Sequence, residues 1–256
     1  MTDPSAATPP PLAPRPMWQI VLAVLFGALV VIVVAVLLGG KGGAGRQEAG
    51  APVAALAQLP WRAQVEPSGG VQVMGLTVGG RAASRLEQAQ ALWPGEAMKV
   101  AVVQAGGGAA SLEAFLELVQ VGTLQGKLIL SGGVEAAQLA DWVARAPSNE
   151  PQPSGARRYA LGAADLQTAA QAPVTGLVFL PGARLEEATV RERFGAQAER
   201  VGLADGSVHL LYPERGLVVS LDGNGKARPV LQFVAPAEFE ERLLRPLRAA
   251  AAASAP

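Results

Sequence analysis

Cysteine is absent from this chain of 256 residues. That removes disulfides, thiolate nucleophiles and cysteine-ligated metals together, and it leaves the redox compartment open. Histidine is nearly absent too, since His209 is the only one. One imidazole cannot make a two-histidine metal site, and any Ser-His-Asp arrangement would hang on this single ring. Neither sign of charge is in excess: 21 basic and 21 acidic residues cancel. The dense basic face of a nucleic-acid binder is therefore missing, and nucleic acid drops out as a partner. No run of five or more like charges occurs, which excludes a polybasic lipid-binding patch.

What is present begins with an uncharged stretch from Pro16 to Gly40, bounded by Arg15 and Lys41. At about 1.5 Å per helical residue it is long enough for a hydrocarbon core of about 30 Å. It predicts a single transmembrane helix over residues 17–39, with the lipid bilayer as its partner and Trp18 as an interfacial anchor. A cleaved signal peptide fits less well, because its apolar core would be shorter and its leader more basic. The leader over residues 1–16 is rich in proline and reads as a disordered cytoplasmic tail. Residues 40–58 are glycine-rich and read as a flexible linker.

The remainder predicts an α+β fold: two similar small units, each a helix packed on an antiparallel meander, over residues 59–146 and 161–248. A linker over 147–160 separates them, and a disordered tail over 249–256 closes the chain. In the first unit Val71–Val78 reads as one strand. Ser84 reads as an N-cap, with Glu87 completing a capping box. A helix ends at Trp93 before Pro94-Gly95, and Met98–Gln104 reads as a strand. In the second unit a helix over Leu185–Phe194 closes on Gly195. Strands follow over Ala198–Leu203, Val208–Tyr212, Gly216–Leu221 and Pro229–Val234. Asp205-Gly206, Pro213–Gly216 and Asp222–Gly225 supply the turns. Helices are also expected over Val134–Ala146 and Phe239–Arg248. Spaced matches at a 101-residue offset suggest an internal duplication: Gly75-Leu76 with Gly176-Leu177, Trp93 with Phe194, and Lys99-Val100 with Arg200-Val201.

The residues Val190-Arg-Glu-Arg-Phe-Gly195, Leu211-Tyr212, Gly216–Gly223 and Val230–Val234 resemble the repeat unit of SmpA/OmlA-type envelope lipoproteins, which assist outer-membrane assembly. The likeness covers about 50 residues within 185–234, and such short α+β units recur in unrelated proteins. The chain departs from that family in lacking the lipidated cysteine and in carrying an apolar span instead. The whole chain also resembles uncharacterised single-pass membrane proteins of proteobacteria. These likenesses imply a bacterial inner-membrane protein with a periplasmic soluble domain, partnered with another envelope protein. The flanking charges alone nearly tie: Arg15 and the amino terminus are offset by Asp3 on one side, and Lys41 and Arg46 lie on the other.

Few residues invite chemistry, and each has a structural reading beside the functional one. His209 sits within a predicted strand near Asp205, where a structural role fits better than catalysis. Asp222-Gly-Asn-Gly-Lys226 starts like a calcium loop, but Lys226 and Ala227 stand where ligand oxygen and glycine are needed, so a hairpin turn explains it better. Gly106-Gly107-Gly108 follows a strand and could open a helix as in a dinucleotide site, yet the acid expected after the next strand is missing. Glu186, Glu187 and Glu192 alternate with Arg191 and Arg193, as on a solvated helix face. The sequence therefore predicts no catalytic, cofactor-binding or metal-binding side chain and no cofactor. It points to a non-enzymatic protein-interaction or assembly module that works through a sheet edge or the turns Pro213–Gly216 and Asp222–Gly225. The alternative is a nucleotide-binding or catalytic domain using Gly106–Gly108.

Overall fold

The computed structural model describes residues 58–105, 109–223 and 227–253. The leader, the expected transmembrane helix over 17–39 and nearly all of the linker lie outside the described residues, as do Gly106–Gly108, Asn224–Lys226 and the last three residues. Among the described residues no helix is long and apolar enough to cross a membrane.

A short hairpin motif opens the fold: β1 (Gln64–Val65), β2 (Val71–Val73) and β3 (Leu76–Val78) form a three-stranded sheet. Helix α1 (Leu86–Leu92) leads into a meander of β4 (Lys99–Gln104), β5 (Ala110–Val121) and β6 (Leu124–Gly132). Next come α2 (Ala136–Ala144), β7 (Asn149–Pro151), β8 (Arg157–Ala160), α3 (Ala163–Ala170) and β9 (Val174–Pro181). Helix α4 (Glu187–Phe194) precedes a second meander of β10 (Glu199–Gly202), β11 (Ser207–Tyr212), β12 (Leu217–Asp222) and β13 (Val230–Val234). A π-helical turn, Glu240–Leu244, runs into α5 (Arg245–Ala253). The architecture is α+β with antiparallel sheets.

Ten strands join in one antiparallel sheet, ordered β10-β11-β12-β13-β9-β6-β5-β4-β8-β7. The centre is β9, hydrogen-bonded to β13 on one side and β6 on the other. Residues expected in two units thus share a single sheet. One face carries Leu112, Leu116, Leu128, Leu177 and Phe233, and α1–α4 and the small sheet bury their apolar residues against it. The opposite face is covered at the β11–β13 end by the C-terminal helical segment, through Phe239, Leu243, Leu244 and Leu247 on Leu211, Val218 and Val234.

The second meander matches expectation strand for strand, and α1 and α4 end at Trp93 and Phe194 as their flanking Pro94-Gly95 and Gly195 imply. Elsewhere the fold differs. Val71–Val78 is a hairpin rather than one strand: Met74 (φ 54°) and Gly75 (φ 83°) make a two-residue turn, and Val73 pairs with Leu76. Two positive φ values in succession suit the strand twist, which sets Val71, Val73, Leu76 and Val78 on one buried face. Ser84 is not the N-cap of α1. Its hydroxyl accepts the Thr77 N–H at 3.0 Å and its carbonyl accepts the Val174 N–H at 2.7 Å, tying the small sheet to β9. The cap position falls to Arg85, whose N–H donates to Gln88 Oε1 at 2.7 Å.

The proline-containing stretch from Pro147 is not only a connector. β8 pairs with β4, and β7 extends the sheet at its edge, where Pro151 needs no N–H partner. The region after Gly108 is the long hairpin β5–β6, with a bulge after Leu116. The alanine-rich end expected to fray is helical as far as Ala253, because Ala250 buries against the sheet-side cluster.

Candidate functional site

His209 lies in mid-β11, paired across the ladder with Ser220 on β12 and Val201 on β10. Its Nδ1 is 2.8 Å from the Ser220 hydroxyl and its Nε2 is 3.2 Å from the Ser207 hydroxyl. Ser207 donates its own O–H to Asp205 Oδ1 at 2.7 Å. That donation leaves the Ser207 oxygen to accept, so the proton belongs on Nε2 and Ser220 donates to Nδ1. Four side chains, from the β10–β11 turn and the paired strands β11 and β12, thus make a continuous run of hydrogen bonds. Asp205 also accepts the Ser207 N–H at 2.9 Å, the local turn bond that its position two residues upstream favours.

This arrangement is not a working triad. The carboxylate contacts a serine rather than the imidazole, and His209 is only 3% exposed. Burial drives its pKa down from 6.5 to about 4, outweighing the pull of Asp205 in the opposite direction. The ring is neutral, fully partnered and closed to substrate in this conformation.

A second buried ionisable group escaped the sequence reading. Glu113 on β5 is buried with Oε2 unpartnered, while Oε1 accepts the Ser111 hydroxyl at 3.1 Å. Burial raises its pKa well above the usual carboxylate value, against smaller opposing effects of Ser111 and Arg158. The signal was available: in Ser111–Phe115 strict alternation sets Glu113 on the face opposite Leu112 and Ala114.

The other candidates separate in space. Asp222 Oδ2 accepts the Ala227 N–H at 2.7 Å, which closes the turn once weighed as a calcium loop. Among the described residues no group of three or more His, Cys, Asp or Glu side chains could hold a metal ion. Glu187 bonds Arg191 at 3.0 Å and Arg200 at 3.2 Å. Its partial burial would raise the pKa, but these two guanidinium bonds outweigh it and hold the carboxyl below its usual range. The helix a dinucleotide site would need after Gly106–Gly108 is replaced by strand β5.

The turn Pro213–Gly216 has the most distinctive surroundings. Tyr212, just before it, donates its O–H to the Gly195 carbonyl at 3.0 Å and packs on Phe194 with ring centroids 6.1 Å apart. Phe194 in turn receives Trp61 edge to face at 6.4 Å. The Arg193 guanidinium lies 5.1 Å from the Trp61 ring centroid. Trp61 is half-buried and Arg193 is exposed, so a partly exposed indole sits at the surface between the guanidinium and the Phe194 ring. Strand β1 runs beside the turn and leaves Val65 48% exposed. Trp61 was not singled out in the sequence, because its partners come from far along the chain.

Compared with protein-family models, curated proteins and solved structures, the chain matches none of them.

Proposed function

We propose that this chain is a single-pass inner-membrane protein, tethered by residues 17–39, whose periplasmic domain is a non-enzymatic interaction or assembly module for another envelope protein. The ledge formed by Trp61, Arg193 and the Pro213–Gly216 turn is the observation that carries the reading. Tryptophan, tyrosine and arginine on a rigid support are the residues that anchor protein interfaces. Here the support is a stack of Phe194 and Tyr212 with a glycine-terminated turn, so little ordering cost falls on binding. The uncharged run 17–39 supports the tether. We also read α1 with β4–β6 and α4 with β10–β12 as two copies of one helix-and-meander unit, in keeping with the likeness to envelope lipoprotein repeats.

The alternative, a nucleotide-binding or catalytic domain at Gly106–Gly108, draws less support. A strand follows that loop, and His209 is sealed within its own hydrogen bonds.

The test uses the full chain isolated from native membranes under mild detergent. Trp61→Ala and Arg193→Ala should each lose a co-isolated partner that the wild type keeps, with unchanged circular dichroism. A partner retained by both variants would remove the ledge from the reading. A single Ser148→Cys on the cysteine-free chain should react with an impermeant maleimide in intact spheroplasts, and labelling only after lysis would overturn the periplasmic placement.

A further inference from the structure

The central strands are apolar on both faces, as Lys99–Gln104, Lys127–Ser131 and Leu177–Leu180 show. Such strands need a layer on each side. The first face has α1–α4 and the small sheet. The second face of β4, β5, β6 and β9 presents Ala101, Val103, Phe115, Ile129, Val178 and Leu180, none more than 8% exposed. Register makes them neighbours: Phe115 stands opposite Ile129, and Ile129 opposite Val178. Yet none of the six belongs to the cluster under the C-terminal helix, which gathers Leu211, Val218 and Val234 at the other end of the sheet. Helices α1–α4 spend their buried side chains on the first face.

Burial this complete requires a cover, and neither cluster of packed side chains on the described helices includes these six residues. The stretches 106–108, 224–226 and 254–256 are three residues each, too short to form a layer. Residues 1–57 are the long stretch outside the described residues, and within them residues 17–39 form a long apolar segment.

We propose that the apolar segment 17–39 docks intramolecularly on the second face of β4, β5, β6 and β9 whenever no bilayer holds it. The dimensions agree. As a helix the segment would be about 10 Å wide, against a face about 14 Å across its four strands. The glycine-rich residues 40–57 have a root-mean-square reach of about 23 Å, enough to pass from Leu59 around the edge of the sheet. Chemistry agrees as well: the segment carries no charge, and of the acidic groups at that face Glu113 is buried with its pKa raised well above the usual carboxylate value, while Glu117 is paired with Lys127 at 2.6 Å. The segment then has two apolar partners, the membrane and its own domain, and insertion bares the sheet face. The inference rests on the tether reading only for the first of these.

The test uses full-length chain made by cell-free synthesis without lipid. Thiol reactivity of Ala101→Cys, on the covered face, is compared with Ser148→Cys, which is exposed. Ala101→Cys should react about a hundredfold more slowly, as a site open only by local unfolding does. Adding Leu29→Lys and Val33→Lys should abolish that protection with unchanged circular dichroism. Equal rates for the two thiols would overturn the proposal, and so would protection that survives the added lysines, since another segment would then be the cover. Independently, pairing Ala101→Cys with a cysteine at successive positions from 22 to 36 should give an intramolecular disulfide in at least one pair; none would also overturn it. Failure of the wild type to float with added nanodiscs would instead count against the tether, leaving the lipid-free result to stand alone.

Discussion

The sealed relay around His209 has a measurable consequence in acid. The folded pKa is about 4, depressed from 6.5 by burial. Above pH 6.5 the imidazole is neutral in both states, and its contribution to stability is whole. Between pH 6.5 and about 4 the unfolded chain takes up a proton that the folded chain refuses, so stability falls as pH falls. Below about 4 both forms are protonated and the loss is complete. At about 1.4 kcal/mol per pKa unit, the depression is worth about 3 kcal/mol, of which most is gone by pH 4.5.

Other groups contribute to the acid dependence. Glu113 acts in the opposite sense, because its raised pKa makes the folded state the better proton acceptor as pH drops. Glu187 acts in the same sense as His209, since its pKa is lowered. The quantity to measure is therefore a difference: urea unfolding of wild type minus His209→Gln, from pH 7.5 to 4.5, followed by tryptophan fluorescence in one fixed detergent. The glutamine keeps a donor and an acceptor near Ser207 but cannot titrate. The wild type should lose about 2.5 kcal/mol relative to the variant over that range. A difference flat to within about 0.5 kcal/mol would mean that the ring reaches water, and a catalytic role for His209 would then return.

Two further predictions concern packing and backbone. Phe194→Ala should cost about 3–5 kcal/mol, since it removes a fully buried ring between Trp61 and Tyr212, and Trp93→Ala should cost a similar amount; a cost below about 1 kcal/mol in denaturant unfolding would mean the ring is not in the core. Gly216→Ala should destabilise by more than about 2 kcal/mol, because φ is 59° and an added Cβ would lie 1.9 Å from the Val234 carbonyl oxygen, whereas Gly95→Ala meets no atom within 4 Å and should be near neutral.

How much of this could be read beforehand depended on whether the deciding contacts were local. The strands β10–β13 were legible because each turn carries its own chemistry: Asp205-Gly206, Pro213 with Gly216, and Asp222-Gly223. Helix α4 was legible for the same reason, ending where Gly195 follows Phe194. The hairpin β5–β6 was less legible, since Leu112–Leu116 and Leu128–Leu130 are apolar on both faces and such runs have no period to separate strand from buried helix. Met74-Gly75 hid a turn because methionine seldom occupies a positive φ, and a continuous strand was the simpler reading. Ala249–Ala253 read as a frayed end, and only its contact with the sheet keeps it helical. The Trp61 ledge had no local signature at all: a tryptophan before the first strand meets an arginine and a phenylalanine that arrive with α4.

The same comparison narrows where a partner can bind. Expectation left two surfaces open, a sheet edge or the turns. At one edge, β10 is four residues long and its Glu199 and Arg200 are engaged by Arg248 and Glu187. At the other, β7 is three residues long and ends in Pro151. Short strands, paired charges and proline are the devices that keep sheet edges from adding foreign strands. An edge so guarded is poorly suited to strand addition, while the indole of Trp61 stays partly exposed and is held in place by Phe194 and Arg193. The physical asymmetry between blunted edges and a partly exposed, buttressed aromatic surface is what moves the recognition reading from the edges to the Pro213–Gly216 side of the domain.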